Sequence, residues 1–393
     1  MNKQIAALYH MAGRPSRRIV GLMSGTSLDG LDIALCRISG SGQQTTLELE
    51  NFETVPYAES FRRQVREVFA KRMVDQQSLS QLNASIGILH GNLARQTFEK
   101  WEVDPSQIDA IASHGQTVYH APRSFTDDAD QPNSTLQLGD GDHVARQTGI
   151  ITLSDFRQKH IAAGGEGAPL AAYGDYLLFA RPGEDRVLLN IGGIANFTYL
   201  PGAGAGAFAT DIGPGNTLMN EIMQIEYGRE MDEDGAMAAS GRVYVPLLEA
   251  LLDHVFFDLP FPKTTGPELF NRAYLEEAQR RSGSDAVAGA DLMATLNAFT
   301  VEGIARAIRQ LEAQDPHVYV SGGGVHNPVL MQGIRERCDA AVSPFEALGL
   351  PADAKEAVLF ALLANETLSG DPHNTEGLFH SPAVCMGKIS FPA

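Results

Sequence analysis

Apolar and polar positions along this chain fall into blocks that read alternately as strands and helices. Residues 19–38, IVGLMSGTSLDGLDIALCRI, hold two apolar runs around a polar, glycine-flanked turn, so a core hairpin is expected there. Residues 45–54 add a strand through alternation and β-branched content, and 58–103 carry helical spacing interrupted near Val74–Gln77. A short buried strand is expected over 108–115. Residues 134–149 read as strand, turn and helix ending at Gly149, and the strand after them ends on polar residues. A second hairpin, 186–200, turns at Gly192-Gly193, and 208–224 read as strand, glycine turn and helix. The pattern closes with a long helix over 287–313, a strand, triple glycine and helix over 317–336, a helix from about 352 to 368, and a strand near 383–391.

Each half thus begins with a glycine-turn hairpin and continues with alternating strands and helices. Such alternation implies an α/β protein with a largely parallel sheet and helices on both faces. A chain of 393 residues exceeds one ordinary core, so two domains with a cleft between them are expected. The first is expected over 1–150 plus about 376–393, and the second over 151–375. Residues 1–17 read as a loose extension with at most an amphipathic turn from Ile5 to Met11, and the polar stretch 126–134 as an exposed loop.

Composition narrows the function classes. Hydrophobic residues are 44% and charged residues 20% of the chain, an ordinary globular balance. With 30 basic and 48 acidic residues the formal charge is −18, which argues against a nucleic-acid or anionic-membrane partner. A phosphate site must then be built locally, from backbone N–H groups or a bound cation. Cys36, Cys338 and Cys385 show no zinc spacing and no even disulfide set, which fits a reducing cytoplasm. No stretch approaches the roughly 20 apolar residues that span a bilayer.

Four places carry candidate chemistry. Gly25, Thr26, Ser27 and Gly30 can aim backbone N–H groups and two hydroxyls at a phosphate chain, while Asp29 and Asp32 could hold Mg²⁺ directly or through water. The same residues also suit a tight hairpin whose polar groups satisfy the turn itself. Gly322-Gly323-Gly324 before Asn327-Pro328 lets a ligand lie against backbone at a helix start, or simply makes a tight crossover. Asp211 ends a strand before Gly213-Pro214-Gly215-Asn216 and could accept a proton from an attacking hydroxyl or water, or hydrogen-bond its own turn. Among the remaining strand ends, His114 is a ligand reader or a turn histidine. Arg157 is a bidentate carboxylate clamp, and Glu356 is a cleft residue or the capping-box partner of Asp353.

The motifs GLMSGTSLDGLD, SHGQT, SDFR, GAPL, LNIGGIAN, DIGPGN and SGGGVHN follow one another in that order. Together they resemble the anhydro-N-acetylmuramic acid kinase family, within the superfamily of sugar kinases, heat-shock chaperone ATPases and actin. The resemblance implies a two-domain actin-like ATPase fold, each domain a mixed sheet flanked by helices. It also implies an ATP- and Mg²⁺-dependent enzyme that opens a 1,6-anhydro ring and phosphorylates O6. By that likeness Gly25, Thr26, Ser27, Leu28, Asp29, Gly30, Leu31 and Asp32 form the ATP-phosphate segment, with Asp29 at the metal. Gly192, Gly193, Gly322, Gly323, Gly324 and Asn327 also lie at the nucleotide, Asp211 is the base, and His114, Gln116, Arg157 and Glu356 contact the sugar. The chain departs from the family pattern at His160, Glu166 and Ala171–Asp175, on the sugar side. That leaves levoglucosan as an alternative substrate and, in another class, a non-catalytic nucleotide-binding regulator. A zinc peptidase of the superfamily finds no H-x-x-x-H pair here. A homodimer is compatible with the resemblance.

Overall fold

The computed structural model describes residues 2–123, 130–168, 170–204, 206–311, 313–375 and 382–392. It divides into two compact units, Met1–Leu178 with Asp353–Ala393, and Phe179–Ala352. Part of the expected 126–134 loop, residues 126–129, lies outside the described residues.

In the first unit, β1 (Ser16–Ser24), β2 (Gly30–Ser39) and β3 (Thr46–Pro56) form an antiparallel meander. β4 (Ala110–Ala121) then pairs in parallel with β1, and β6 (Thr152–Ser154) in parallel with β4. β5 (Ser134–Leu138) folds back antiparallel onto the end of β4. The second unit repeats this path with β7 (Arg186–Ile191), β8 (Ile194–Leu200) and β9 (Phe208–Pro214) as the meander. β10 (His317–Ser321) and β11 (Ala341–Pro344) are its parallel strands. β12 (Lys388–Ser390) closes the chain antiparallel to β6. With the side strand β5 and the closing strand β12 left aside, both sheets therefore run third, second, first, fourth, fifth strand in order. That is the internal repetition the two glycine hairpins suggested, in sheets that are mixed rather than largely parallel.

The expected domain boundary near residue 150 falls inside the first unit, because β6 completes the sheet begun by β1 and β4. The chain also returns earlier than expected, at Asp353 rather than near 376, because the helix Lys355–Ser369 packs on β1. Alternation along β1 explains how. Val20 and Leu22 enter the core formed with Ile86 and Phe98 of the helix Gln76–Lys100, while Gly21 faces Ala357 on the opposite side. A Cβ at Gly21 would overlap the Ala357 carbonyl. Gly21→Ala is expected to cost about 2–3 kcal/mol, because strand or helix backbone must move. The check is a lower denaturation midpoint at unchanged slope.

The second core lies between β7 and β10 and the helices Gly289–Gln310 and Pro328–Arg337, where Leu189 and Val320 of the strands join Ile304 and Ile334 of the helices. The amino-terminal extension is a helix, Lys3–Ala12, not a loose segment. Arg17, only 2% exposed, secures it by donating to the Ala12 and Arg14 carbonyls while its Nε donates to Asn365 at 2.8 Å.

Candidate active site

Because β1, β4 and β6 run parallel, their carboxyl ends share one edge of the first sheet, with Ser24 beside Gln116 and Ser113 beside Ser154. Ligand-binding residues gather at such edges in α/β sheets. The turn after β1 closes through a bond from Leu28 N to Gly25 O at 3.3 Å, with Leu28 at φ 61. Leu28 and Leu31 bury their side chains and offer only backbone, whereas Thr26, Ser27 and Asp29 are exposed. Gly30 is held to glycine by β3, since a Cβ there would stand 2.5 Å from the Val55 carbonyl. Asp32 is half-buried and accepts from Thr54 Oγ1 at 2.6 Å. Burial raises its pKa, Thr54 opposes that, and the carboxylates of Asp353 and Asp29 add to it.

At the neighbouring strand ends, Arg157 Nε donates to His114 Nε2 at 2.9 Å and Arg157 Nη1 to the Gly167 carbonyl at 2.7 Å. His114 is buried against Phe360, and burial, then Arg157, pushes its pKa well down. It is therefore a neutral acceptor with its proton on Nδ1. That role engages Nε2 and holds Arg157 in place, while Nδ1 is buried and has no partner among the described residues. The expected bidentate clamp changes accordingly, since only the Nη end of Arg157 remains to meet a ligand. Gln116, expected at the sugar, is 0% exposed, its amide bonded to Ser24, Gly25 and Thr117.

Glu356 is exposed and lies near Arg157. Surrounding protein raises its pKa, Arg157 opposes this, and Asp32 adds to it. The capping-box alternative fails: the helix Lys355–Ser369 begins at Ala354 with no side-chain cap. A recess of about 750 Å³ opens at the same sheet edge, lined by His114, Gln137, Asp140, Ser154 and Asp155 among others, but not by Arg157, Glu356 or the turn. The chemistry follows the residues rather than that hollow.

The candidates of the second unit also share one sheet edge, because β7, β9 and β10 all run the same way. Asp211, opposite Asn196, is half-buried. Its Oδ2 accepts from Thr265 N at 3.0 Å and its own N–H donates to the Lys263 carbonyl at 3.0 Å. The segment 263–265 is anchored in turn by the buried Lys263, whose Nζ donates to the Phe256 and Phe257 carbonyls at 2.9 and 3.2 Å. Burial raises the Asp211 pKa, the Thr265 N–H opposes this, and Glu268 adds to it. The Oδ1 atom accepts no hydrogen bond among the described residues.

The Gly192 and Gly193 carbonyls accept from the N–H groups of Asn216 and of Gly215 and Thr217, which closes the start of the helix Thr217–Tyr227. In the triple glycine, Gly322 (φ 85) and Gly324 pack on β7, where a Cβ would come 2.6 Å from Asn190 Oδ1 and from Ile191 Cβ; Gly323 faces open space. Asn327 caps the helix Pro328–Arg337, its Oδ1 accepting from Val329 and Leu330 N, so its side chain is already engaged.

A family model described as anhydro-N-acetylmuramic acid kinase matches residues 17–389. The chain belongs to the anhydro-N-acetylmuramic acid kinase family. A protein of that name from Pseudoalteromonas atlantica is 53% identical over the whole of both chains. Another, from Caldanaerobacter subterraneus subsp. tengcongensis, is 38% identical over 98% of this chain and 99% of its own. Among solved structures, the Acidaminococcus fermentans (R)-2-hydroxyglutaryl-CoA dehydratase component A aligns over 90% of this chain and 99% of its own, at 12% identity and a TM-score of 0.41. No described helix is long and apolar enough to cross a membrane.

Within this kinase family, two of the departures noted in the sequence touch each other. His160 Nδ1 accepts from Gly167 N at 2.9 Å, and its Nε2 lies 3.2 Å from the Tyr173 hydroxyl. Asp175, also a departure, is buried and pairs with Lys355 at 2.8 Å. Since the Gly167 carbonyl holds Arg157, His160 supports the same loop through the Gly167 N–H. Sequence reasoning missed Gly167 and Thr265, which hold Arg157 and Asp211 through backbone atoms and so leave no mark on residue type.

Proposed function

We propose that this chain opens the 1,6-anhydro ring of anhydro-N-acetylmuramic acid with water and transfers the γ-phosphoryl group of ATP to O6, giving N-acetylmuramic acid 6-phosphate and ADP. The full-length family match is the observation that carries this reading. In the step, Asp211 accepts a proton from water through its open Oδ1 while the oxygen attacks C1. The C1–O6 bond breaks, and O6 takes the phosphoryl group as ADP leaves. The fixed bond from Thr265 N–H orients the carboxylate before substrate arrives. Thr26 and Ser27 offer N–H groups and hydroxyls to the phosphates, and Gly323 offers an unobstructed surface to the nucleotide.

Asp29 and Asp32 suit Mg²⁺. They are hard oxygen donors; burial raises the Asp32 pKa first and the charges of Asp353 and Asp29 add to it, a repulsion that a divalent cation would relieve. Among the described residues no three ligand-type side chains converge on a metal, and an ion held here by one or two carboxylates would complete its shell with water and phosphate. Such an ion would supply charge neutralisation for the phosphates of ATP. The Nη end of Arg157, backed by His114, would meet the sugar's carboxylate, with Glu356 beside it. The reading places the enzyme in the cytoplasm, where ATP is supplied.

The test is ATP consumption with anhydro-N-acetylmuramic acid and levoglucosan side by side. Turnover with the acidic sugar and a 6-phosphate product is expected. Turnover with levoglucosan alone would reassign the substrate, and silence on both would favour a nucleotide-binding regulator.

A further inference from the structure

Four polar side chains of the first unit form one buried line. His90 lies in the helix Gln76–Lys100, Tyr57 follows β3, Ser24 ends β1, and Gln116 pairs with it from β4. The Tyr57 hydroxyl donates to Ser24 Oγ at 2.7 Å, and Ser24 donates to Gln116 Oε1 at 2.5 Å. With its proton given to Ser24, the Tyr57 oxygen accepts from His90 Nε2, 2.9 Å away. His90 therefore carries its proton on Nε2. Its Nδ1, a bare lone pair, has no partner, and burial lowers the ring's pKa to about 4 and keeps it neutral. At the other end the Gln116 amide donates to the Gly25 carbonyl at 3.2 Å and the Thr117 carbonyl at 3.1 Å. The line has one direction, from His90 to Gly25.

A trans peptide carries its C=O and the following N–H on opposite sides. Drawing the Gly25 oxygen inward therefore turns the Thr26 N–H outward. The Leu28 N–H reaches the same oxygen at 3.3 Å, so the Gln116 amide at 3.2 Å is a second hold on a peptide that glycine leaves conformationally free, and around Gly25 the space is open, with only Ser27 Oγ within 4 Å of a Cβ position. The Thr26 N–H itself bonds to nothing among the described residues. We propose that the line from His90 through Tyr57, Ser24 and Gln116 fixes the Gly25–Thr26 peptide and aims the Thr26 N–H at a phosphate of ATP. These four are positioning residues for the nucleotide, and Gln116 is not a sugar contact. The inference rests on the reading of Gly25–Asp32 as the phosphate segment.

Gln116→Met, Tyr57→Phe and Thr26→Pro separate the possibilities in the full-length enzyme. Proline is favoured at the second position of a β-turn, so Thr26→Pro removes the N–H with little disturbance to the turn, and Thr26→Val, which removes the hydroxyl alone, is the reference against which its effect is read. The measurements are KM for ATP, KM for the anhydrosugar, ADP affinity by calorimetry, and thermal midpoint. Gln116→Met is expected to raise KM for ATP and Kd for ADP on the order of tenfold, leaving KM for the sugar unchanged. Tyr57→Phe moves the same constants less, because Ser24 still reaches Gln116. Gln116→Met and Thr26→Pro should combine less than additively, since both act through one N–H. A lowered midpoint with unaltered nucleotide constants, or a rise in sugar KM alone, would overturn the proposal. If Gln116→Met does not fold, Tyr57→Phe decides by the same criteria. Thr26→Pro without effect would instead remove the phosphate reading of the turn. An effect there but none from Gln116 or Tyr57 would remove only the positioning role.

Discussion

Asp211→Asn is expected to bind ATP with unchanged affinity and to lose roughly 10²–10⁴ in turnover, the usual contribution of a general base. The substitution is conservative in shape. Asn keeps an oxygen to accept the Thr265 N–H, so the turn at 263–265 should hold, and only the proton-accepting capacity goes. The pH profile supplies an independent check with a definite sign. Burial and Glu268 raise the Asp211 pKa, so the inactive protonated form builds up at a higher pH than for an ordinary aspartate, near 3.9. The acid limb of kcat/KM should therefore lie above that value, with activity falling as pH drops through it. Glu268→Gln removes one of the raising charges and should move the limb downward. Near-normal turnover in Asp211→Asn would take Asp211 out of the mechanism.

How much of this was legible in the sequence depended on distance along the chain. The two hairpins, the Gly149 helix end in its left-handed conformation and the long helix Gly289–Gln310 were readable, because periodicity and capping act within a few residues. The unit boundary was not. It depends on β6 joining β4 and on the helix Lys355–Ser369 lying against β1, pairings more than 300 residues apart in the second case. The amino-terminal helix escaped for the same reason, since Arg17 reaches an asparagine 348 positions onward.

The site divides likewise. Residue types and their order named the turn, Asp211, Arg157 and Glu356 as candidates, but not which polar groups are already engaged. Gln116, His114 and Asn327 each looked available as letters. In the structure each hydrogen-bonds protein groups, Gln116 to Ser24, His114 to Arg157 and Asn327 to its own helix. Hydrogen-bond satisfaction is a three-dimensional property, and motif reading overestimates how many polar side chains remain for a ligand.

Arg157→Ala should reduce kcat/KM for anhydro-N-acetylmuramic acid by two to three orders of magnitude and for neutral levoglucosan far less. Removing one partner of a desolvated, charge-assisted bond costs about 2–5 kcal/mol, and only the acidic sugar presents that partner. The comparison is needed because Arg157 has a second task. Its Nη1 holds the Gly167 carbonyl, so the alanine variant also loosens the loop after the helix Phe156–Ala162. Loop loosening acts on both sugars alike and cancels in the ratio of their rates, which isolates the carboxylate. His114 keeps the guanidinium aimed throughout the physiological range, because an imidazole whose pKa lies well below its ordinary value stays an acceptor there. Equal losses on the two sugars would contradict the clamp and leave Arg157 as a brace between His114 and Gly167.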